Sequence, residues 1–169
     1  VYETGKFIFN LGCQKMFITR AVPPVSNKEV GEEYKLTHEE AKYALDEGIR
    51  LKKDTGIMIG TLVNYPVCFL GDLEKYKDFF GRGCPSQRGH RVNINATGDL
   101  HTCVHEETDY GNILKDDLSN VYQTKMRKWH DKEQMIYEGC KGCDYISTCY
   151  SGCQMVALAF NGKFGTAKN

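Results

Sequence analysis

The sequence has no surplus of charge in either direction: 22 basic and 22 acidic side chains cancel across 169 residues. An electrostatic footprint for nucleic acid or an anionic membrane needs Lys and Arg gathered in excess on one face, so those partners are excluded as first expectations. Long apolar runs are also missing. No stretch approaches the roughly 20 residues of a membrane span, and the opening Val-Tyr-Glu-Thr-Gly-Lys does not resemble a secretory signal. A soluble, cytoplasmic chain is expected. It does not open on Met, which suggests a processed product or a piece of something longer. With 41% hydrophobic residues it can build a core, as one domain of ordinary size or two small ones.

What the sequence does have is cysteine. Eight are present, below the density of roughly 8–10% at which a short secreted chain becomes a disulfide scaffold. Their even number leaves a disulfide framework arithmetically open, but the spacing argues against it. Cys140, Cys143, Cys149 and Cys153 fall within fourteen positions that also hold Gly142 and Gly152, with Gly139 just ahead. Thiolates crowded together, with glycines letting the backbone wrap one point, suit a shared metal centre in a reducing compartment. Zinc ribbons pair two C-x₂-C knuckles at least fifteen residues apart, whereas Cys140-x₂-Cys143 is followed by gaps of five and three. Short mixed gaps of that kind are closer to the runs that hold iron–sulfur clusters.

Three regions follow along the chain. Residues 1–66 have the pattern of an alternating α/β unit. Residues up to Gly12 suit the tail of a helix, and Met16–Val22 is rich in β-formers and stops at Pro23-Pro24. Thr37-His38-Glu39-Glu40 is a capping-box signature, followed by Ala41, Leu45 and Ile49 at helical spacing, so a helix is predicted to about Asp54. Ile57–Val63 then has the composition of a buried strand. Strand, helix, strand implies a parallel pair that belongs to a larger sheet. Residues 67–112 begin irregularly, around Cys68 and Cys84, and end in a predicted hairpin: Arg91–Asn95, a turn at Ala96–Asp99, and Leu100–Val104. That hairpin returns Cys103 toward Cys84. Residues 113–139 are predicted to carry a helix with Leu118, Tyr122, Met126 and Trp129 on one face, ahead of the cysteine-rich knot and an apolar tail from Val156 to Phe160.

Taken together, Cys84, thirteen residues, Gly98, four residues, Cys103, then Cys140-x₂-Cys143-x₅-Cys149-x₃-Cys153 resembles the SPASM domain of radical S-adenosylmethionine enzymes. The intervening Val92–Asn95, Gly98–Leu100 and Tyr110–Ile113 resemble it too, and the likeness runs over residues 68–160. Residues 1–66 look like the last strands and helices of the partial (β/α)₆ barrel that precedes this domain in the family. The resemblance implies an α/β chain divided at 1–66 and 67–169, the second part a small α+β domain binding two auxiliary [4Fe–4S] clusters. It further implies Cys68, Cys84, Cys103 and Cys153 on the first cluster. Cys140, Cys143 and Cys149 would hold the second, with a fourth ligand beyond Asn169.

Radical generation in that family needs a C-x₃-C-x₂-C loop, and this sequence has none. The resemblance therefore implies the C-terminal portion of an enzyme whose N-terminal part binds S-adenosylmethionine and a further [4Fe–4S] cluster, this chain alone being inactive. A peptide or protein substrate and an electron donor such as flavodoxin or ferredoxin are the implied partners. The alternative is a free-standing iron–sulfur or zinc module for electron transfer or interaction. In the sulfatase-activating branch a carboxylate follows the cysteine matching Cys103; here Val104 stands there, and His105, Glu106 and Glu107 offer either a nearby base or a solvated acidic turn. Arg20, at a strand end, is a candidate for cofactor or substrate contact or a surface residue. Tyr65, Tyr145 and Tyr150 are expected to pack over the ligands, His38 to lie at the surface, and Cys13 to be an unligated thiol.

Overall fold

The computed structural model describes residues 1–22, 33–81, 83–130 and 136–161. Pro23 and Pro24 lie outside them. Helix α1, Tyr2–Asn10, leads into β1, Lys15–Phe17; α2, His38–Thr55, connects it to β2, Met58–Gly60. The two strands pair in parallel, with Met16 opposite Ile59. The strands are shorter than the apolar runs that predicted them. Ladder formation stops at Phe17 and Gly60, and the following residues turn to pack on the rest of the chain. The capping box forms as expected: the Glu40 N–H donates to Thr37 Oγ1 at 3.1 Å, and Glu40 Oε2 accepts from the Thr37 N–H at 2.8 Å. The buried stripe of α2 is Ala41, Leu45, Gly48 and Leu51, with Ile49 only half-buried.

Around this pair lies one core, built from Tyr2, Ile18, Leu45, Leu51, Ile57, Ile59 and Tyr65 and completed by Leu70, Tyr76 and Phe79. Short helix α3, Val67–Leu70, supplies Leu70, and a 3₁₀ turn at Lys77–Phe79 supplies Phe79, with Tyr76 just ahead of it. The packing therefore continues past residue 66.

A second core gathers Leu100, Tyr110, Val121, Met126, Trp129 and Met155, with Cys103 and Cys153 at its edge. The predicted hairpin is present as the antiparallel pair β3, Asn93–Ile94, and β4, Leu100–His101. Gly98 in its turn has a φ of +88°, and a Cβ there would meet Asn112 Oδ1 at 3.0 Å, so glycine is required twice over. Tyr110–Asn112 lies alongside: the Leu100 N–H donates to the Gly111 carbonyl at 2.7 Å and the Tyr110 N–H to the Leu100 carbonyl at 3.0 Å. The single helix predicted over 113–139 is instead two short ones, α4, Leu118–Gln123, and α5, Arg127–His130; residues 131–135 lie outside the described part. The break re-aims the apolar face, so Val121, Met126 and Trp129 are buried while Leu118 is exposed. A 3₁₀ turn at Glu138–Cys140, helix α6 at Ile146–Cys149 and the apolar α7 at Gln154–Asn161 complete the described residues. Among the described residues, no helix is long and apolar enough to cross a membrane.

Candidate metal centre

All eight cysteines are free thiols, and seven of them line two cavities. The first, of about 340 Å³, lies beside the hairpin and is lined by Cys84, Cys103 and Cys153, with Thr19, Asn64, Arg91 and His105 also on its wall. The second, of about 250 Å³, is lined by Cys68, Cys140, Cys143 and Cys149 with Pro66, Val67, Leu73 and Ile146. Cys13 is exposed and lines neither. The resemblance groups Cys68 with Cys84, Cys103 and Cys153; the fold places it across the other cavity, among the knot cysteines.

What separates the cavities is the turn between Cys149 and Cys153. Tyr150, Ser151 and Gly152 all take left-handed backbone, with φ of +51°, +61° and +82°. Two successive non-glycine residues there cost roughly 1–2 kcal/mol each, and such strain persists only where surrounding structure holds it. The reversal sends Cys149 to the knot side and Cys153 to the hairpin side. Several contacts hold it. Asn64 Nδ2 donates to the Cys149 carbonyl at 2.7 Å, Gln87 Nε2 to the Tyr150 carbonyl at 3.3 Å, and Ser151 Oγ accepts from the Tyr137 N–H at 3.1 Å. A Cβ at Gly152 would come within 2.8 Å of Pro66 Cγ, so the backbone there packs directly on the residue that opens α3. The Val67 N–H points at Cys149 Sγ, 3.5 Å away.

The electrostatics follow the same division. Burial pushes the Cys149 thiol up, the Val67 and Gly152 N–H groups oppose this, and the neighbouring Cys68 and Cys140 add to the rise. Burial pushes Cys103 up to about 11, against a stabilising N–H from His105, and Cys153 and Cys84 add to the rise. Cys153 is raised by burial and then by Cys84, while backbone N–H groups and Arg20 pull the other way. Thiols held protonated in this manner become thiolates only when a cation takes the proton's place.

Arg20 is half-buried, 5.1 Å above the Tyr65 ring, with Nη2 donating to the Asn64 carbonyl at 3.4 Å. Its Nε has no hydrogen-bond partner among the described residues. Tyr65 is buried but lines neither cysteine cavity; Tyr145 is exposed at the rim of the knot cavity, and Tyr150 packs beneath the Arg88 guanidinium at 5.3 Å. His38 is exposed and stacks on Phe69 at 4.3 Å. Glu106 does not lie in a solvated turn. It is buried, accepting hydrogen bonds from Tyr110 Oη at 2.6 Å, Trp129 Nε1 at 3.0 Å and the Thr102 hydroxyl. It therefore fastens the loop after β4 to α5, while Val104 and His105 stay exposed beside Cys103. The residues that sequence reasoning passed over are Asn64, Pro66, Val67 and Ser151. Nothing local signals that these residues touch the knot.

Both donor sets are thiols, with mainly apolar walls in the knot cavity and with Thr19, Asn64, Arg91 and His105 added in the hairpin cavity. Tetrahedral zinc, with Zn–S bonds of about 2.3 Å, draws its sulfurs to about 3.8 Å of one another. Among the described residues no three Cys, His, Asp or Glu groups converge on a single ion in that way. Cysteines spread around a cavity in this way suit a polynuclear cluster better than a single ion, and thiolate ligation is the chemistry such clusters use. A family model for SPASM, described as an iron–sulfur cluster-binding domain, matches residues 84–144. No curated protein and no solved structure matches the chain.

Proposed function

We propose that this chain is the C-terminal part of a radical S-adenosylmethionine enzyme that modifies a peptide or protein, and that it carries two auxiliary [4Fe–4S] clusters. The observation that carries the reading is the pair of cysteine-lined cavities on either side of the 150–152 turn, in and around residues matched by an iron–sulfur cluster-binding family. SPASM domains occur in radical S-adenosylmethionine enzymes, and the parallel β1–β2 pair spanned by α2 is compatible with the end of the partial barrel that precedes them. S-adenosylmethionine and its own cluster belong, on this reading, to a preceding part.

When bound, such clusters accept or donate single electrons, so a substrate radical can be carried to a thioether, a carbon–carbon crosslink or an oxidised side chain. The chain's own residues prepare the sites for that role. The Val67 and His105 N–H groups aim at the sulfurs of Cys149 and Cys103, which stabilises thiolate charge. Arg20 places a partly buried positive charge in the field of Cys153, and charge and hydrogen bonds of this kind favour the more negative, reduced state. Electrons would arrive from a small carrier such as flavodoxin or ferredoxin.

The test is anaerobic purification of this chain and of a longer protein containing it, with iron, sulfide and zinc quantified beside the visible spectrum. Iron and sulfide in equal amounts are expected, near two cubanes' worth in this chain and about one more in a longer protein that includes the S-adenosylmethionine cluster. Zinc without sulfide would overturn the proposal and leave a structural zinc module.

A further inference from the structure

The division of the cysteines between the two cavities is four and three, and it differs from the division that the family resemblance implies. We propose that Cys68 of α3 is the fourth cysteine ligand of the knot, so that Cys68, Cys140, Cys143 and Cys149 together hold one cluster. The proposal rests on the reading that these cysteines bind iron–sulfur clusters, and it deepens that reading by naming the ligand set.

Three observations carry it. The four sulfur-bearing residues line one cavity of about 250 Å³ whose other walls are mainly apolar, whereas Cys84, Cys103 and Cys153 line the other cavity without Cys68. The position of α3 against the knot is not incidental. It is set from three directions, by Asn64 on the Cys149 carbonyl, by the Val67 N–H on Cys149 Sγ, and by Pro66 against Gly152. Cys68 is the next residue after Val67, so the same clamp that aims a backbone donor at Cys149 carries a thiol to the mouth of the cavity. Finally, the donor count is complete, since four thiolates are what a cubane takes from protein. Cys68 and Cys143 are exposed and Cys140 half-exposed, which places the site near the surface on the side of α3. Each ligand from a different loop adds a cross-link, and here the cluster would tie α3, which also completes the first core, to the knot beyond the second.

The experiment reads each site in isolation. In a Cys84→Ala/Cys103→Ala background the hairpin site is disabled, and anaerobic reconstitution with ferrous iron and sulfide should leave about one cluster per chain. Adding Cys68→Ala should then remove that cluster or convert it to a three-iron form with its own EPR and Mössbauer signature. In the reverse background, Cys140→Ala/Cys143→Ala, adding Cys68→Ala should leave the remaining iron unchanged. The proposal is overturned if Cys68→Ala spares the iron in the first background or removes it in the second. A wild-type chain that takes up no iron and sulfide overturns the underlying reading itself, and that result is visible before any variant is made. Fluorescence of Trp129, the single tryptophan, reports whether each variant keeps its second core.

Discussion

Replacing Glu106 by Ala should cost more than any other single polar substitution near the hairpin. Its carboxylate is the shared acceptor for Tyr110 Oη, Trp129 Nε1 and the Thr102 hydroxyl, and Glu106, Tyr110, Trp129 and Thr102 are all buried. Trp129 Nε1 retains Tyr110 Oη as an acceptor at 2.9 Å, so its loss is partial. Tyr110 and Thr102 lose their acceptor outright. At roughly 1–3 kcal/mol for each buried donor left unpaired, the expected destabilisation is about 3–5 kcal/mol. Glu106→Gln keeps one oxygen for Tyr110 and Trp129 and presents its NH₂ to Thr102, whose hydroxyl can turn to accept. That variant should lose only about 1–2 kcal/mol, the difference between charged and neutral hydrogen bonds. Urea titration followed by Trp129 emission, with the same cluster content in every sample, measures both. For an m near 2 kcal/mol/M the Ala variant's midpoint should fall by about 1.5–2.5 M and the Gln variant's by under about 1 M. An Ala variant within about 0.5 M of wild type would show that Glu106 is not the acceptor binding these donors.

Gly152→Ala places a Cβ 2.8 Å from Pro66 Cγ at a φ of +82°, so it should both destabilise the chain by roughly 1–2 kcal/mol and lower the iron content at the two cavities it separates, as measured by melting and iron assay. In cluster-free protein, iodoacetamide should label exposed Cys13, Cys68 and Cys143 well before Cys103, Cys149 and Cys153, whose burial shields the thiol and holds it protonated; mass spectrometry of a time course checks the order. Asp99 titrates near 2, held there by hydrogen bonds from Thr97, Asn112 and Asn95. Because its folded pKa lies below the unfolded value, its stabilisation is complete above about pH 4 and fades as pH falls toward 2. The gap in melting temperature between wild type and Asp99→Asn should therefore narrow over that window, and a gap independent of pH would contradict the assignment.

The capped helix and the glycine turn of the hairpin were legible because each depends on neighbours close in sequence, and the parallel order of β1 and β2 because a helix lies between them in the chain. Thr37 and Glu40 cap one another three residues apart, and Gly98 answers a steric demand of its own backbone. The length of the second helix was not, since its break between Gln123 and Arg127 lets Val121 and Trp129 enter a core that hairpin residues also form. Glu106 was misjudged for a related reason. A carboxylate amid polar residues has the composition of a surface turn, and only the arrival of Trp129, 23 positions later, buries it.

Cysteine spacing by itself pointed to a gathering of thiols, since the short gaps keep Cys140, Cys143, Cys149 and Cys153 close along the chain. Which thiol faces which cavity was decided only in three dimensions. The contacts that bring α3 to the knot join Asn64 and Val67 to Cys149 across 85 and 82 positions. No local propensity encodes a contact of that separation; it exists because the left-handed turn at 150–152 and the backbone around Pro66 fit against each other once both cores have formed.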